Sequence, residues 1–307
     1  MENGNAQNRP SVPNSSGTNL PRLQVPVETC DCHMHIYDDR FPTVPYPHLR
    51  SANASVEDYR LLQKRLGIRR NVVVTPGAYG SDNRCTLDAL SQLGANARGV
   101  AVVDPTIPDS ELRRFSELGV RGIRLNFRIA GLTAIETLEP LSRRIEPLGW
   151  HVQLNMPGDL IARHKDILLR LPSPIVFDHV ARIPQPEGIH HPGYQVVRTL
   201  LDQGKTWIKL SAPYSVTKTG GPAYSDIAQV VQGLVKVASE RLVWASDWPH
   251  PTEEIKPDDA ALLDFFSSFI SDEATRDRVF VSNAETLYGF TKSNSGGSPS
   301  DFGTAAK

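Results

Sequence analysis

The sequence has few cysteines and no excess of charge of either sign. Its three cysteines, Cys30, Cys32 and Cys85, are an odd number, and two of them lie in one short stretch, so a disulfide framework is not expected. Lys and Arg number 33 against 34 for Asp and Glu, which leaves a net charge of -1. This balance provides no field that would attract nucleic acid or an anionic membrane, so the expected partner is a small molecule.

Long apolar runs are also missing. No stretch approaches the roughly 20 apolar residues that a membrane-spanning helix needs. The N-terminus has neither the basic start nor the apolar core of a secretory signal. We therefore expect a soluble, cytoplasmic protein without a membrane partner, and an oligomer is compatible with this composition.

Both ends of the chain have a composition typical of disorder. Residues 1–25 and 291–307 are rich in Asn, Ser, Gly and Pro and poor in large apolar residues. Such segments bury too little apolar surface to offset the entropy of ordering. The sequence therefore predicts two disordered tails, 1–25 and 291–307, around one folded domain at 26–290.

Between the tails, short β-rich apolar runs alternate with longer segments of helical period, which indicates βα units and a parallel sheet. The expected strands are ETCDCHMHI, NVVVTP, GVAVVD, GIRLNF, WHVQLNM, PIVFDHV, TWIKLS and RLVWASDW. Eight strands, each followed by a helix, predict an α/β fold of the (β/α)8 TIM-barrel type in a single domain. A Gly-rich phosphate loop after the first strand is missing, which disfavours a dinucleotide-binding sheet.

Polar residues occupy the ends of three expected strands. The first strand ends with Asp31, His33 and His35, which strict strand alternation places on one face. The sixth strand ends with Asp178 and His179 and the eighth with Asp247. Active sites of barrels lie at the carboxyl ends of the strands, so these side chains should meet at one mouth. An H-x-H pair alone is a weak signal, but its co-location with His179 and Asp247 favours a catalytic cluster.

The segments ETCDCHMHIYD, FDHVARIP and WASDWPHP resemble the corresponding segments of the amidohydrolase superfamily, in particular the lactonase group of its second subfamily. RNVVVTPGAYGSDNR, ARGVAVVDP, GVRGIRLNF and LGWHV extend the resemblance to residues 28–290. It implies a hydrolase acting on the ester bond of a small carboxylated lactone. It also implies that Asp247 is the general base toward water and that His33, His35 and His179 polarise the lactone carbonyl.

The resemblance further assigns Arg124 and Arg182 to a substrate carboxylate, which suits the guanidinium fork. A structural ion pair is the alternative for each arginine. Where the lactonase group has further arginines after the fourth and seventh strands, this chain has NFRIAG and SAPYSVTK, which leave Arg128 and Tyr214 as candidates. The loop after the first strand lacks the tyrosine of the group, although Tyr46 is near. We therefore expect a less heavily charged lactone.

Three more residues are expected to contact the substrate from strand-end loops. Tyr79 and Ser81 lie in the loop after the second strand, and Asn155 ends the fifth. Asp82, in the same loop as Ser81, either contacts the substrate or caps the following helix. His151 opens the fifth strand and is therefore assigned to the opposite, stabilising face of the barrel.

Three further histidines lie outside the cluster. His250 follows Asp247 closely in DWPHP and is expected to support the site from behind. His190 and His191, in GIHHPG, are expected to be an exposed loop pair.

Metal binding is an alternative for the same residues. Binuclear members of the superfamily add a Lys or Glu at the end of the fourth or fifth strand, and LNMPGD contains neither. A mononuclear Zn²⁺ held by His33, His35, His179 and Asp247 is chemically compatible. The lactonase group, by resemblance, works without metal using these residues. No cofactor is therefore the favoured expectation, with mononuclear zinc as the alternative.

Three functional hypotheses follow. The leading one is a lactone hydrolase or lactone isomerase, and the second is a zinc-dependent decarboxylase or hydrolase of the same superfamily. The third is a non-catalytic binding barrel, which the cluster disfavours because a binding barrel does not need four such polar side chains at one mouth.

Overall fold

The computed structural model describes residues 11–44, 52–128 and 133–292, so Tyr46 and parts of both expected tails lie outside the described residues. Eight parallel strands follow one another in the sheet in sequence order. The strands are β1 (Cys30–Met34), β2 (Arg70–Val74), β3 (Ala97–Ala101), β4 (Val120–Asn126), β5 (His151–Asn155), β6 (Ile175–Phe177), β7 (Thr206–Leu210) and β8 (Leu242–Trp244). Each of the eight expected strand segments overlaps one of them, and β2, β3 and β4 begin one or two residues earlier than expected.

Helices connect the strands and cover the outside of the sheet. They are α1 (Val56–Leu66), α2 (Arg84–Leu93), α3 (Asp109–Glu117), α4 (Leu138–Ile145), α5 (Gly158–Arg163), α6 (Lys165–Leu169), α7 (Pro192–Asp202), α8 (Ala228–Ala238), α9 (Asp259–Ser267), α10 (Glu273–Asp277) and α11 (Asn283–Tyr288). Within the described ranges, no helix has the length and apolarity needed to cross a membrane.

The sheet closes through residues that follow β8. The backbone N–H of Asp247 donates to the carbonyl of His33 at 2.9 Å, and the N–H of His35 donates to the carbonyl of Trp248 at 2.8 Å. The predicted (β/α)8 TIM barrel is therefore confirmed. Closure brings the ends of the first and last strands side by side, which places the H-x-H pair next to Asp247.

Strand β1 is irregular, and its register against β2 shifts after Asp31. The Asp31 carboxylate accepts a hydrogen bond from the hydroxyl of Tyr59 in α1 at 3.0 Å and one from the backbone N–H of Ser246 at 2.9 Å. Asp31 therefore points toward the helix layer, away from His33 and His35. The prediction that the three residues share a face was wrong, because one irregular step in a strand exchanges its two faces.

The segment of residues 11–25, which composition assigns to a disordered tail, instead makes defined contacts with the barrel. The carbonyl of Pro13 accepts a hydrogen bond from the indole N–H of Trp248 at 2.9 Å. The Arg65 guanidinium donates to the carbonyl of Ser16 at 3.0 Å. These partners are far away in sequence, so composition alone does not reveal them.

Two loop side chains cap helices. His191 is buried rather than exposed, and its Nδ1 accepts from the backbone N–H of Gly193 at the start of α7 at 3.0 Å. His190 is exposed, as expected. Asp82 accepts from the backbone N–H of Arg84, the first residue of α2, at 3.0 Å, which agrees with the capping alternative.

Candidate active site

Three imidazoles and one carboxylate converge at the carboxyl end of the barrel. The Nε2 atoms of His33, His35 and His179 lie 3.6, 3.8 and 3.8 Å from Oδ1 of Asp247. The Nε2 atoms of His33 and His35 are 3.2 Å apart. All four side chains are buried. The structure thus brings together the cluster that the sequence selected.

His35 and His179 use their Nδ1 atoms for contacts away from the cluster. Nδ1 of His179 lies 2.9 Å from the hydroxyl of Ser211, and Nδ1 of His35 lies 2.7 Å from the carbonyl oxygen of Val74. Because a carbonyl only accepts, His35 carries its proton on Nδ1 and presents an unprotonated Nε2 to the cluster. Burial lowers the pKa of His35 to about 3, so the ring is neutral. The expectation that His35 donates to a lactone carbonyl therefore does not fit its hydrogen bonding.

A buried polar network that the sequence reasoning missed lies beneath His33. Lys209 Nζ donates to Oε1 of Gln153 at 2.6 Å and lies 3.3 Å from Nδ1 of His33. Nε2 of Gln153 is also 3.3 Å from that atom. Asp178 Oδ1 lies 3.2 Å from it, and Asp178 Oδ2 accepts from Nε of Arg124 at 3.0 Å. A lysine inside the otherwise apolar strand TWIKLS is the signal that could have revealed this network.

Burial determines the charges of the cluster. It raises the pKa of Asp247 to about 6 and lowers the pKa values of His33 and His179 well below their usual range. Burial also works to raise the pKa of Asp178, but the neighbouring cations Arg124 and Lys209 hold that pKa well below its usual value. At neutral pH the cluster is therefore a carboxylate among neutral imidazoles, which suits it to accept a proton.

A chain of hydrogen-bonded side chains contacts Oδ2 of Asp247, the carboxylate oxygen that does not face the three imidazoles. The Tyr214 hydroxyl donates to Oδ2 of Asp247 at 2.7 Å and lies 2.9 Å from Nδ1 of His250. Nε2 of His250 in turn lies 3.2 Å from Oδ2 of Asp259. The Tyr214 hydroxyl, expected to meet the substrate, is thus engaged with Asp247, and His250 reaches Asp247 through it.

A cavity of about 230 Å³ opens beside this cluster. Its lining includes His35, Tyr37, Arg124, Asn126, Arg128, Asn155, His179, Arg182 and Asp247. Tyr37 was missed, although it lies two residues beyond His35 and continues the H-x-H spacing. With Gly77 after β2 and Ser215 after β7, the cavity joins residues from seven strand ends, as expected for a barrel mouth.

The arginines at this cavity differ in their partners. Arg124 is paired with Asp178, which is the structural alternative considered for it. Arg182 is only 6% exposed and donates from Nε to Oδ1 of Asn155 at 2.8 Å. Burial lowers its pKa to about 10, so it stays charged, yet it forms no ion pair with any carboxylate in the described part of the chain. Arg128 is exposed at the rim.

The turn after β6 has an unusual backbone that presents two of these residues. His179, Val180, Ala181 and Arg182 have φ angles of 53, 54, 53 and 46°, all in the left-handed region. Each such non-glycine residue costs about 1–3 kcal/mol and persists only where the surroundings impose it. The turn directs His179 and Arg182 into the same cavity.

The other expected site residues lie elsewhere. The Tyr79 hydroxyl accepts from the backbone N–H of Asp38 at 2.8 Å, and this tyrosine does not line the cavity beside Asp247. Ser81 lines a neighbouring cavity, which shares Arg124 with the first. His151 packs against the ring of Tyr288 with 5.4 Å between ring centroids, in keeping with a structural role.

Part of the cluster has the spacing of a metal site. Tetrahedral zinc with ligands at about 2.0–2.1 Å requires ligand atoms about 3.3 Å apart, close to the 3.2–3.8 Å between the Nε2 atoms and Asp247 Oδ1. His33, His35 and Asp247, whose ligand atoms lie within 4.8 Å of one another, would hold such an ion, which when bound would act as a Lewis acid toward a carbonyl. Two overlapping groups, His33 with Asp178 and His179 and His33 with His35 and Asp247, have the composition of metal sites.

A (β/α)8 barrel with an H-x-H pair, a later histidine and a final aspartate at its mouth is the arrangement of the amidohydrolase class of barrel enzymes. The family model described as amidohydrolase matches residues 30–290. The chain belongs to the amidohydrolase family.

Relatives of known name cover nearly the whole chain. It is 31% identical to a 2-pyrone-4,6-dicarboxylate hydrolase of Comamonas testosteroni, over 87% of this chain and 92% of the relative. It is 30% identical to a D-galactarolactone isomerase of Agrobacterium fabrum, over 89% and 94%. A crystal structure of a probable 2-pyrone-4,6-dicarboxylic acid hydrolase from Acinetobacter baumannii, with citric acid bound, is 26% identical with a TM-score of 0.75, over 86% of this chain and all of that one.

Proposed function

We propose that this protein hydrolyses the ester bond of a small carboxylated lactone, with Asp247 as the general base. The observation that carries this proposal is a buried, charged Arg182 lining the same cavity as Asp247 and lacking an ion-pair partner among the described residues. A buried unpaired cation is costly, so an anionic ligand is its natural complement. The relatives named as lactone hydrolases support the reaction class.

In the proposed reaction, Oδ1 of Asp247 takes a proton from water as the water oxygen bonds to the lactone carbonyl carbon. The carbonyl oxygen becomes an oxyanion in a tetrahedral intermediate. When the intermediate collapses, the ring C–O bond breaks and the leaving oxygen receives the proton from Asp247. The product is a ring-opened hydroxy acid, and the carboxylate is restored.

His33 and His179 are the proposed donors to the oxyanion. Both direct Nε2 toward Asp247, where the attacked carbonyl would lie. The Ser211 hydroxyl can donate to Nδ1 of His179, which leaves the proton of that ring on Nε2. A well-placed donor of this kind contributes about 3 kcal/mol to transition-state stabilisation.

Arg182 is the proposed carboxylate-binding residue, assisted from the rim by Arg128. Arg124, engaged with Asp178, contributes positive charge to the same cavity. One buried guanidinium without an ion pair among the described residues suits a substrate with a single carboxylate near the ring. This agrees with the expectation of a less heavily charged lactone.

The first test measures turnover of a panel of carboxylated lactones and of their methyl esters by the purified protein. We expect turnover of a carboxylated lactone, a large loss on its methyl ester, and a fall in kcat of about 10²–10⁴-fold in Asp247→Asn. The exposed Asp272→Asn, outside the cavity, is the matched control. Near wild-type turnover in Asp247→Asn would contradict the assignment of Asp247 as the general base.

Lactone isomerisation is the alternative suggested by the isomerase relative. Labelled water oxygen separates the two reactions, because hydrolysis places the label in the product carboxyl group and isomerisation does not. A rearranged lactone without label would replace the hydrolase proposal.

We propose that catalysis is independent of metal, because Lys209, Arg124 and Arg182 already surround the cluster with positive charge. The ligand spacing makes zinc-dependent hydrolysis or decarboxylation the second candidate. We expect that chelation leaves lactone turnover unchanged and that elemental analysis of active protein finds less than one zinc per chain. Stoichiometric zinc whose removal abolishes turnover, and whose return restores it, would favour the second candidate.

A further inference from the structure

We propose that Lys209, acting through Gln153, is a positioning residue that holds the proton of His33 on Nε2, so that this imidazole is a hydrogen-bond donor on the side that faces His35 and Asp247. The proposal rests on the proposed function only for what the donor does, which is to stabilise the oxyanion of the lactone. The placement of the proton itself follows from the hydrogen bonds around His33.

The lower end of the network requires Nδ1 of His33 to accept. The Lys209 ammonium can only donate, and its bond to Oε1 of Gln153 at 2.6 Å fixes the orientation of that amide. The amide NH₂ group of Gln153 therefore faces Nδ1 of His33 at 3.3 Å. Lys209 Nζ lies at 3.3 Å from the same atom. Two donors point at Nδ1, so the single proton of the neutral ring belongs on Nε2.

The hydrogen bonds of His35, on the other side of the His33 ring, also require the His33 proton to be on Nε2. The carbonyl of Val74 accepts from Nδ1 of His35, so Nε2 of His35 has a lone pair and no proton. Nε2 of His33 lies 3.2 Å from it in hydrogen-bonding geometry. A hydrogen bond between these two nitrogen atoms needs a proton on His33. Hydrogen bonds thus run in one direction, from Lys209 through His33 and His35 to Val74. In the proposed reaction the oxyanion replaces Nε2 of His35 as the acceptor of the His33 proton.

Asp178 is the competing partner of His33, but its geometry is poor. Its Oδ1 lies 3.2 Å from Nδ1 of His33, yet this buried oxygen makes no hydrogen bond within the part of the chain that the structure describes. Arg124 holds the other oxygen, Oδ2, at 3.0 Å. Asp178 Oδ1 is also 3.9 Å from Lys209 Nζ, so its charge balances that of the ammonium.

The direction of the hydrogen bonds around His33 distinguishes a site that donates a proton from a metal site built of the same residues. A metal ligand needs an unprotonated Nε2 and usually donates from its other ring nitrogen to an acceptor. Around His33 the neighbours of Nδ1 in hydrogen-bonding geometry are donors instead. Lys209 is fully buried, which is costly for a charged side chain. Its position beneath His33 provides a functional reason for this burial.

The deciding measurement is proton–nitrogen correlation spectroscopy of protein containing nitrogen-labelled histidine, which reports the ring nitrogen that carries the proton. The His33 signals are assigned by their loss in His33→Asn. In the wild-type protein we expect the proton on Nε2 of His33 and on Nδ1 of His35. Lys209→Met, which cannot donate, and Gln153→Glu, which places an acceptor against Nδ1, should each move the His33 proton to Nδ1.

The exposed Lys205→Met, just before β7, is the matched control and should leave the spectrum unchanged. Gln153→Glu keeps the shape of the wild-type side chain, so it carries the test if Lys209→Met does not fold. A wild-type His33 with its proton on Nδ1, or a His33 proton that stays on Nε2 in both variants, would overturn the proposal.

Kinetics supply the second measurement. Both variants should lower kcat on a lactone by about 10²-fold, the loss expected for one oxyanion donor, while KM changes by less than about threefold. A loss confined to KM would contradict the positioning role. If no lactone is turned over, the proposed function fails, while the spectra still decide where the proton lies.

Discussion

At the scale of single residues, the chemistry depends on what surrounds Asp247. Burial alone would leave this carboxyl group with a raised pKa, and the hydrogen bond from Tyr214 opposes that effect. The carboxylate is therefore basic enough to accept a proton from water and still ionised at neutral pH.

A pH profile of kcat/KM tests this charge state. Because the base must be deprotonated and the pKa of Asp247 is raised to about 6, kcat/KM should be level above that pH and fall about tenfold per pH unit below it. The profile of the wild-type enzyme on a lactone that does not titrate in this range measures the midpoint. A flat profile down to pH 4 would exclude Asp247 as the base with this pKa.

Tyr214→Phe removes the hydrogen bond that favours the charged form of Asp247. The midpoint of the acid limb of the kcat/KM profile should therefore move to higher pH. At high pH, where Asp247 is ionised in both proteins, kcat/KM should fall less than it does near the midpoint. Tyr59→Phe is the matched control, since it removes a tyrosine hydroxyl from the buried Asp31, outside the cavity. An unchanged midpoint in Tyr214→Phe would show that the tyrosine does not tune the base.

Sequence reasoning found the residues of the cluster but not all of their partners. The spacing of His33 and His35, with His179 and Asp247 at later strand ends, was enough to locate the site. Lys209 and Gln153 were missed because a single polar residue in an apolar strand does not indicate which side chain on another strand it contacts.

At the scale of elements, two local irregularities of the chain decide which side chains reach the cavity. The register shift in β1 turns Asp31 outward while His33 and His35 face inward. The left-handed turn after β6 presents His179 and Arg182 together. Neither irregularity follows from hydrophobic periodicity, because that pattern assumes regular alternation.

Close packing of β4 against β5 gives a prediction at this scale. A Cβ atom at Gly122 would lie 2.5 Å from Nε2 of His151, which is too close for any real contact. Gly122→Ala should therefore lower the free energy of unfolding by about 1–3 kcal/mol. Denaturant unfolding of the purified protein measures the loss.

His151→Ala supplies the control background for that experiment. With the imidazole removed, the added methyl group has space, so Gly122→Ala should cost less in this background. An equal cost in both backgrounds would show that the clash with His151 is not the cause.

At the scale of the whole molecule, the N-terminal segment and the eighth strand end are linked. The bond from Trp248 to Pro13 joins residues 11–25 to the residue that follows Asp247, and Arg65 holds the segment from α1. The segment is therefore part of the packing behind the site.

Deletion of residues 2–25 tests this link. It removes the hydrogen bonds to Trp248 and Arg65, each worth about 1 kcal/mol, so the free energy of unfolding should fall by about 2–4 kcal/mol. A shorter deletion of residues 2–10 keeps those bonds and serves as the control. Equal stability of the two truncated proteins, measured by denaturant unfolding, would show that residues 11–25 do not stabilise the barrel.

The sequence by itself determined the barrel and the strand ends at which the candidate site residues meet. Alternating apolar runs and helical segments define eight βα units, and in a parallel barrel every strand end faces the same mouth, so motif residues far apart in sequence could be placed together. Only the tertiary structure decided the burial of the charged groups, the hydrogen-bond partners of the cluster and the lack of an ion pair at Arg182 among the described residues. These depend on burial and on distances of a few tenths of an ångström between residues on different strands, which a one-dimensional pattern does not contain.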